Sequence, residues 1–294
     1  MMELRKHMKI NKDTTFLILH KGRHEVTKNT LKYLVKFYPN ENYIFADGDN
    51  DNVLEEYITQ LGFKNLEYFH SPDLSIKDYF KKELKAVDLV KTKYAMLVDT
   101  DDFIIPSGIL ELENFLNDNK FYISCGFPIP GIEVTKNKIN FYKKFTPAHW
   151  IDSPHEKDQK ERIKKLGKFY VSHYDLYRVE VLKEMIETLI ECDLESIIMY
   201  EFSLAFSALC IGPQMRLREG IHYIRQYETS LEDNFVRGTF GLFFVPCIAN
   251  LITELKASMS FIDSPDAIIY ELLLTLFILF VAFIKAAATS SMWT

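Results

Sequence analysis

The chain has little cysteine, and none of it is arranged to bind a metal. Its four cysteines, Cys125, Cys192, Cys210 and Cys247, lie far apart with no Cys-x-x-Cys spacing. Zinc ribbons and dithiol redox motifs are thereby excluded, and buried free thiols in a reducing cytosol are expected. A basic surplus is also missing, since 35 Lys and Arg face 41 Asp and Glu for a net charge of −6. A general nucleic-acid binder needs phosphate-neutralising surface, so that class is set aside. Long hydrophobic runs are absent too. The longest, Leu272–Ile284, is a 13-residue stretch broken only by Thr275 and closed by Lys285. It falls short of the ~18–20 apolar residues that span a bilayer. It reads as a helix buried in the protein or in an oligomer interface, or lying in peripheral contact with a membrane. Met1–Asp13 is polar and basic, without the apolar stretch of a secretory leader, so a cytoplasmic location is expected, either free or at the inner face of the membrane. No internal repeat or low-complexity tract is present.

What is present is an ordinary globular composition, with 48% hydrophobic and 26% charged residues. Aromatic residues reach 14%, enough for large buried faces and for sugar or base stacking. A length of 294 residues suits one large α/β domain with an appended piece, or two domains. Strand and helix patterns alternate from residue 14 to about 126. Strands are expected at Phe16–His20, Tyr43–Ala46, Leu66–His70, Tyr94–Val98 and Phe121–Cys125. Helices fall between them, marked by Leu31/Leu34/Tyr38, by Val53–Leu61, by Ile76/Phe80/Leu84/Val87 and by Ile109/Leu112/Leu116. That order implies βαβ units and a parallel sheet. From 127 to 170 prolines break the pattern, leaving room for a hairpin around Ile132–Lys143 and a charged loop or short helix at His155–Lys168. A strand at Phe169–Tyr177, a helix through Val181–Leu189 and a helical stripe from Leu194 to Leu209 follow. Residues 231–288 read as helical.

The stretch Tyr94-Ala-Met-Leu-Val-Asp-Thr-Asp-Asp-Phe-Ile-Ile-Pro-Ser-Gly108 carries the most chemistry. A buried strand runs straight into Asp99, Asp101 and Asp102, and Pro106 then opens a helix. Alternation sends Asp99 and Asp101 the same way. Carboxylates that close repel one another unless a proton or cation intervenes, and Mg²⁺ or Mn²⁺ with oxygen ligands is the natural remedy. The plainer alternative is an acidic turn capping the next helix.

This order of elements, with Leu-Val-Asp-Thr-Asp-Asp ending the fourth strand, resembles the GT-A glycosyltransferases, most closely the inverting bacterial enzymes that use nucleotide sugars. The resemblance covers residues 14–230, divided into a nucleotide-sugar-binding half (14–126) and an acceptor half (127–230). Residues 231–294 form a C-terminal helical extension outside it. The resemblance implies an α/β fold, a Rossmann-like mostly parallel sheet flanked by helices, with Mn²⁺ or Mg²⁺ on the donor pyrophosphate. It makes Asp101 the metal ligand and Asp99 a ribose or metal-water partner, with Asp102 in support. Asp47 falls where the family places an acid that reads base or ribose, although a turn residue would look the same. Arg23 falls where the family often has Asn-Arg. Lys81 and Lys82 lie in the helix where a basic residue often faces the phosphates, and either would equally suit a solvated surface.

Farther on, Tyr200-Glu201 followed by Gly212 is similar to the segment that carries the general base. Glu201 takes that role, with Glu195 and Asp193 as alternatives. His222-Tyr-Ile-Arg-Gln-Tyr227 is similar to the following Arg-Gln-His segment. Tyr227 stands where the family has His, which leaves His222 as a metal ligand or a structural histidine. His149-Trp150 suits a sugar platform or simple packing. The implied activity is sugar transfer from a nucleotide-sugar donor to a glycan or lipid-linked acceptor, in bacterial surface polysaccharide synthesis. A nucleotidyltransferase would want a glycine-rich basic loop where His20-Lys21-Gly22-Arg23 has one glycine. A binding or assembly protein with a decayed site would not need all three acids.

Overall fold

The computed structural model describes residues 13–135, 138–142, 153–163, 173–191 and 197–227. His149-Trp150, Asp193, Glu195, residues 169–172 of the expected strand at 169–177 and everything from 228 onward, including Leu272–Ile284, lie outside the described residues.

β1 (Thr14–His20) is buried along its whole length, as a central strand covered on both faces should be. The chain continues through α1 (His24–Phe37), β2 (Asn42–Asp47), α2 (Glu55–Gln60), β3 (Leu66–His70), α3 (Ile76–Asp88), β4 (Tyr94–Asp99), β5 (Phe103–Ile104) and α4 (Pro106–Asp118). Pro106 opens α4 because its fixed φ and missing N–H suit a first helical turn. After α4 come β6 (Ser124–Gly126), β7 (Gly131–Thr135), β8 (Lys138–Tyr142), α5 (Gln159–Ile163), β9 (Leu176–Arg178), α6 (Val179–Glu191), α7 (Ile197–Ile211), β10 (Gln214–Arg216) and β11 (Tyr223–Tyr227).

One sheet has seven strands in the order β10-β6-β9-β4-β1-β2-β3. Its pairings are parallel except those of β9, which runs antiparallel to both β4 and β6. A second sheet, β5-β11-β7-β8, stands beside it. Alternation along the central strands divides the core in two. Phe16, Ile18, Tyr43, Phe45, Tyr94, Met96 and Val98 meet α1, α2 and α4 through Leu31, Leu34, Ile58, Ile109, Leu112 and Leu116. Leu17, Leu19, Ile44, Ala46, Ala95 and Leu97 meet α3, α6 and α7 through Phe80, Val87, Leu182, Met185, Ile186 and Leu204. Each fully buried aliphatic or Phe side chain contributes about 1.5–3 kcal/mol, so two faces of this size account for a sheet of short strands.

Some boundaries differ from the sequence reading. The strand expected at Phe121–Cys125 begins only at Ser124. The chain is still turning before it, with the Tyr122 N–H donating to the Asn119 carbonyl, and Phe121 stays exposed. The helix expected from Val53 starts at Glu55, with Val53 in solvent. The hairpin expected at 132–143 is β7–β8, and the charged segment contains the short helix α5. Arg162 of α5 is buried and donates to the Leu209 and Cys210 carbonyls, capping the C-terminal end of α7. No helix among the described residues is long and apolar enough to cross a membrane.

Candidate functional site

Strands β1, β2 and β4 end level with one another. His20 pairs in register with Asp47, and Leu19 with Asp99. Strand order reverses between β1 and β4, which is where open α/β sheets take their ligands. Three loops converge there: residues 20–23 after β1, 47–51 after β2 and 99–102 after β4.

Asp99, Asp101 and Asp102 bring one carboxylate oxygen each within 4.8 Å of one another. Their surroundings give them different characters. The Tyr174 hydroxyl donates to Asp99 Oδ2 at 2.6 Å, and His173 Nε2 lies 3.8 Å from Oδ1. Burial would push the Asp99 carboxyl up, but His173 and Tyr174 outweigh it and hold it at about 2. Asp101 is raised by burial and by the charge of Asp99, with Arg23 opposing. Asp102, almost wholly buried, is raised well above the ordinary range by burial and then by its two acidic neighbours. It accepts from the Tyr223 hydroxyl and from the Gln226 N–H, both at 2.7 Å. Tyr223 also accepts from the Asp99 N–H at 3.2 Å and stacks on Tyr174 at 4.3 Å. The second sheet thus braces the acidic turn through β11.

Arg23 joins this cluster. Its guanidinium lies 2.8 Å from Asp101 Oδ2, with the arginine side chain more than a third exposed. It occupies the left-handed region at φ 57°, directly after Gly22 at φ 65°. Among the described residues it is the one non-glycine residue there, a strained placement of the kind that collects at functional sites. Two left-handed residues in succession turn the chain sharply out of β1 and aim Arg23 across toward β4.

The other expected site residues fare differently. Asp47 is fully buried, accepting from the Asp49 N–H at 3.0 Å and the Tyr68 hydroxyl at 3.0 Å. Its carboxylate holds the start of the loop after β2. Lys81 is 65% exposed, with its ammonium 3.7 Å from Asp78. Its neighbour Lys82 is the buried one, 2.5 Å from Asp73 and donating to the His20 carbonyl. A Cβ on Gly48 would fall 2.3 Å from the Lys82 ammonium, so the loop after β2 needs glycine to pass over that pair. His222 is not a metal ligand. It is fully buried, its Nδ1 accepts from the Phe127 N–H at 3.3 Å and its Nε2 donates to the Tyr174 carbonyl at 2.8 Å. Burial holds its pKa at about 3, so the ring is a neutral strut. Glu201 falls in the second turn of α7, and its side chain lies outside the described residues.

Sequence reasoning did not single out His173, Tyr174 and Tyr223, the supports of the acidic turn. Nothing in their local pattern separates them from core aromatics. The pair His20 and His24, which meets Asp49, lies across a strand end and a helix start, where helical spacing carries no signal.

The architecture is similar to that of S. aureus TarS. The crystal structure of TarS 1–349 matches with a TM-score of 0.58 at 14% identity, over 90% of this chain and 72% of that one. TarS 1–349 in complex with UDP-GlcNAc matches at 0.52 and 15% identity, over 74% of this chain and 59% of that one. The complex with UDP gives 0.51 and 15%, over 74% and 61%. This chain therefore spans less than two thirds of the TarS chain in each of those complexes. No family model matches the sequence, and no curated protein matches it by sequence. At these identities the likeness is one of fold, a mostly parallel α/β sheet flanked by helices.

Proposed function

We propose that this protein is a glycosyltransferase of GT-A type that moves a sugar from a nucleotide-sugar donor to an acceptor hydroxyl, with inversion and with Mn²⁺ or Mg²⁺. The observation that carries the reading is the cluster Asp99–Asp101–Asp102 at the end of β4, faced by Arg23 from the end of β1. UDP-GlcNAc and UDP binding by TarS, which shares the fold, supports a nucleotide-sugar donor.

The donor set fits a hard dication. It is all oxygen, its atoms lie within 4.8 Å of one another, and Asp101 is raised by burial and by the charge of Asp99 against the pull of Arg23. Asp101 would hold the metal, with Asp99 on its water or on the ribose, and Asp102 keeping the turn in place. When bound, such an ion neutralises charge on the departing nucleoside diphosphate. Arg23 is placed to exchange its contact with Asp101 for a donor phosphate, which a guanidinium grips through two oxygens. Glu201 in α7 is the proposed general base that takes the acceptor's proton. The acceptor in this reading is a glycan or lipid-linked sugar of a bacterial surface polysaccharide.

The test is calorimetric binding of UDP, GDP and CDP in Mn²⁺ and in chelator. One nucleotide should bind only with the divalent ion, and Asp101→Asn should remove that dependence while leaving the fold intact. Equal binding in Mn²⁺ and chelator would sink the reading.

A further inference from the structure

We propose that His20, His24 and Asp49 form a second metal site, built for a borderline transition cation such as Zn²⁺, which ties the turn carrying Arg23 to the loop after β2. His20 ends β1 and His24 opens α1. The two left-handed residues between them fold the chain back, so the two rings lie 5.6 Å apart. Both Nε2 atoms converge on one oxygen of Asp49, at 2.9 Å from His20 and 2.5 Å from His24. The three ligand atoms lie within 4.8 Å of one another. Bonds of about 2.0–2.2 Å to a tetrahedral ion set ligand atoms roughly 3.3 Å apart, so the two imidazole–carboxylate contacts have to open by less than ~1 Å to admit one.

The surroundings prepare these groups as ligands. The Thr27 hydroxyl donates its one hydrogen to the Arg23 carbonyl at 3.1 Å. Its oxygen also lies 3.2 Å from His20 Nδ1, and with that hydrogen on the carbonyl the ring proton belongs on Nδ1. In that tautomer the Nε2 of His20, on a fully buried ring, turns its lone pair to an anionic oxygen of Asp49. Two acceptors face to face repel, whereas a cation between them makes both ligands. Asp49 is oriented in the same manner, with Oδ1 accepting from the Gly22 N–H at 2.6 Å and its carbonyl accepting from His70 at 2.8 Å. Outer partners of this kind fix ring and carboxylate direction at metal centres.

The site differs in chemistry from the acidic cluster. Two imidazoles and one carboxylate suit Zn²⁺, Co²⁺ or Ni²⁺, whereas an all-oxygen set suits Mg²⁺ or Mn²⁺. His20 is buried and His24 is 38% exposed, so an ion has an entry side and keeps an open position there. Arg23 lies between the two histidines in sequence and reaches Asp101, so a metal here holds the residue that touches the first cluster. That last consequence rests on the proposed donor site; the metal site itself does not.

The experiment measures Zn²⁺ binding to the full chain, without nucleotide, by elemental analysis after dialysis and by the visible spectrum of the Co²⁺ form. The wild-type protein should hold one Zn²⁺ in preference to a large excess of Mg²⁺. Asp101→Asn should keep it. His24→Ala, at a partly exposed position that the fold tolerates, should weaken binding by more than the ~10–100-fold typical of losing an outer partner. Asp49→Asn should do the same, and circular dichroism of His24→Ala confirms that the fold survives. Absence of Zn²⁺ binding by the wild type, or unchanged affinity in His24→Ala, overturns the proposal. Loss of binding in Asp101→Asn with retention in His24→Ala overturns it as well, by assigning the ion to the acidic cluster.

Discussion

Glu83 shows how a single buried carboxyl sets a pH dependence. It is fully buried under α7, accepts from the Tyr200 hydroxyl at 2.6 Å, and has Lys82, His173 and Asp99 as its charged neighbours. Burial, aided by the charge of Asp99, outweighs Tyr200, His173 and Lys82 and raises it from 4.5 to about 7. Between those values the folded protein keeps a proton that the unfolded chain has released, so stability falls as pH rises and levels off above 7. The whole step is of order 3 kcal/mol, from 1.36 kcal/mol per pKa unit. Glu83→Gln keeps the acceptor for Tyr200 and removes the charge. Urea unfolding at pH 4 and pH 8 should show the variant more stable than wild type at pH 8, with the difference nearly gone at pH 4. Glu201 belongs to this scale as well. Glu201→Gln should lower turnover by about 10²–10⁴-fold with donor affinity nearly unchanged, because the base acts on the acceptor. Wild-type turnover in that variant, with loss in Glu195→Gln or Asp193→Asn, would move the role to the neighbouring acid.

At the scale of elements, α3 makes adjacent lysines into opposites. The stripe Ile76, Phe80, Leu84 and Val87 marks its inner face from sequence, and Phe80 and Val87 are buried as expected. Lys82 and Glu83 are buried beside them, which no hydropathy period would announce, since the pattern scores both as solvent residues. Their partners come from elsewhere, Asp73 for one and Tyr200 for the other. Lys82→Met strands the Asp73 carboxylate, 6% exposed, and should cost about 3–5 kcal/mol in urea unfolding. Lys81→Met, at an exposed position one residue away, should stay within about 0.5 kcal/mol. Equal effects would mean that the helix presents the other face. The strands show the converse. β1, β2 and β4 are read from sequence almost to the residue, because each is a short apolar run buried on both faces.

At the scale of the whole molecule, ligand linkage gives the nucleotide proposal a size. A nucleoside diphosphate with Mn²⁺ at a hundredfold excess over its dissociation constant should stabilise the protein by about 2.7 kcal/mol, and far less with Mg²⁺ and Mn²⁺ chelated. The run Leu272–Ile284 is apolar around the whole helix it would form, which calls for cover on all sides. Truncation before Asp266 should therefore give aggregation or dissociation by light scattering. A soluble, folded, truncated chain of unchanged assembly mass would count against it.

The alternation of strands and helices, the acidic end of β4 and the proline start of α4 were all legible in the chain itself, because each rests on neighbours close in sequence. Only the tertiary structure decided which groups meet. Tyr223 reaches Asp102 across 121 positions and Tyr174 reaches Asp99 across 75. Arg23 crosses from β1 to Asp101 because two left-handed residues turn it there. His222 faces inward to backbone partners, Asp47 is spent on its own loop, and Lys82 is buried where Lys81 is not. A local pattern shows that a residue lies on a strand end or a helix. Which way its side chain faces, and what charge it meets there, follows from the packing of elements far apart in the chain.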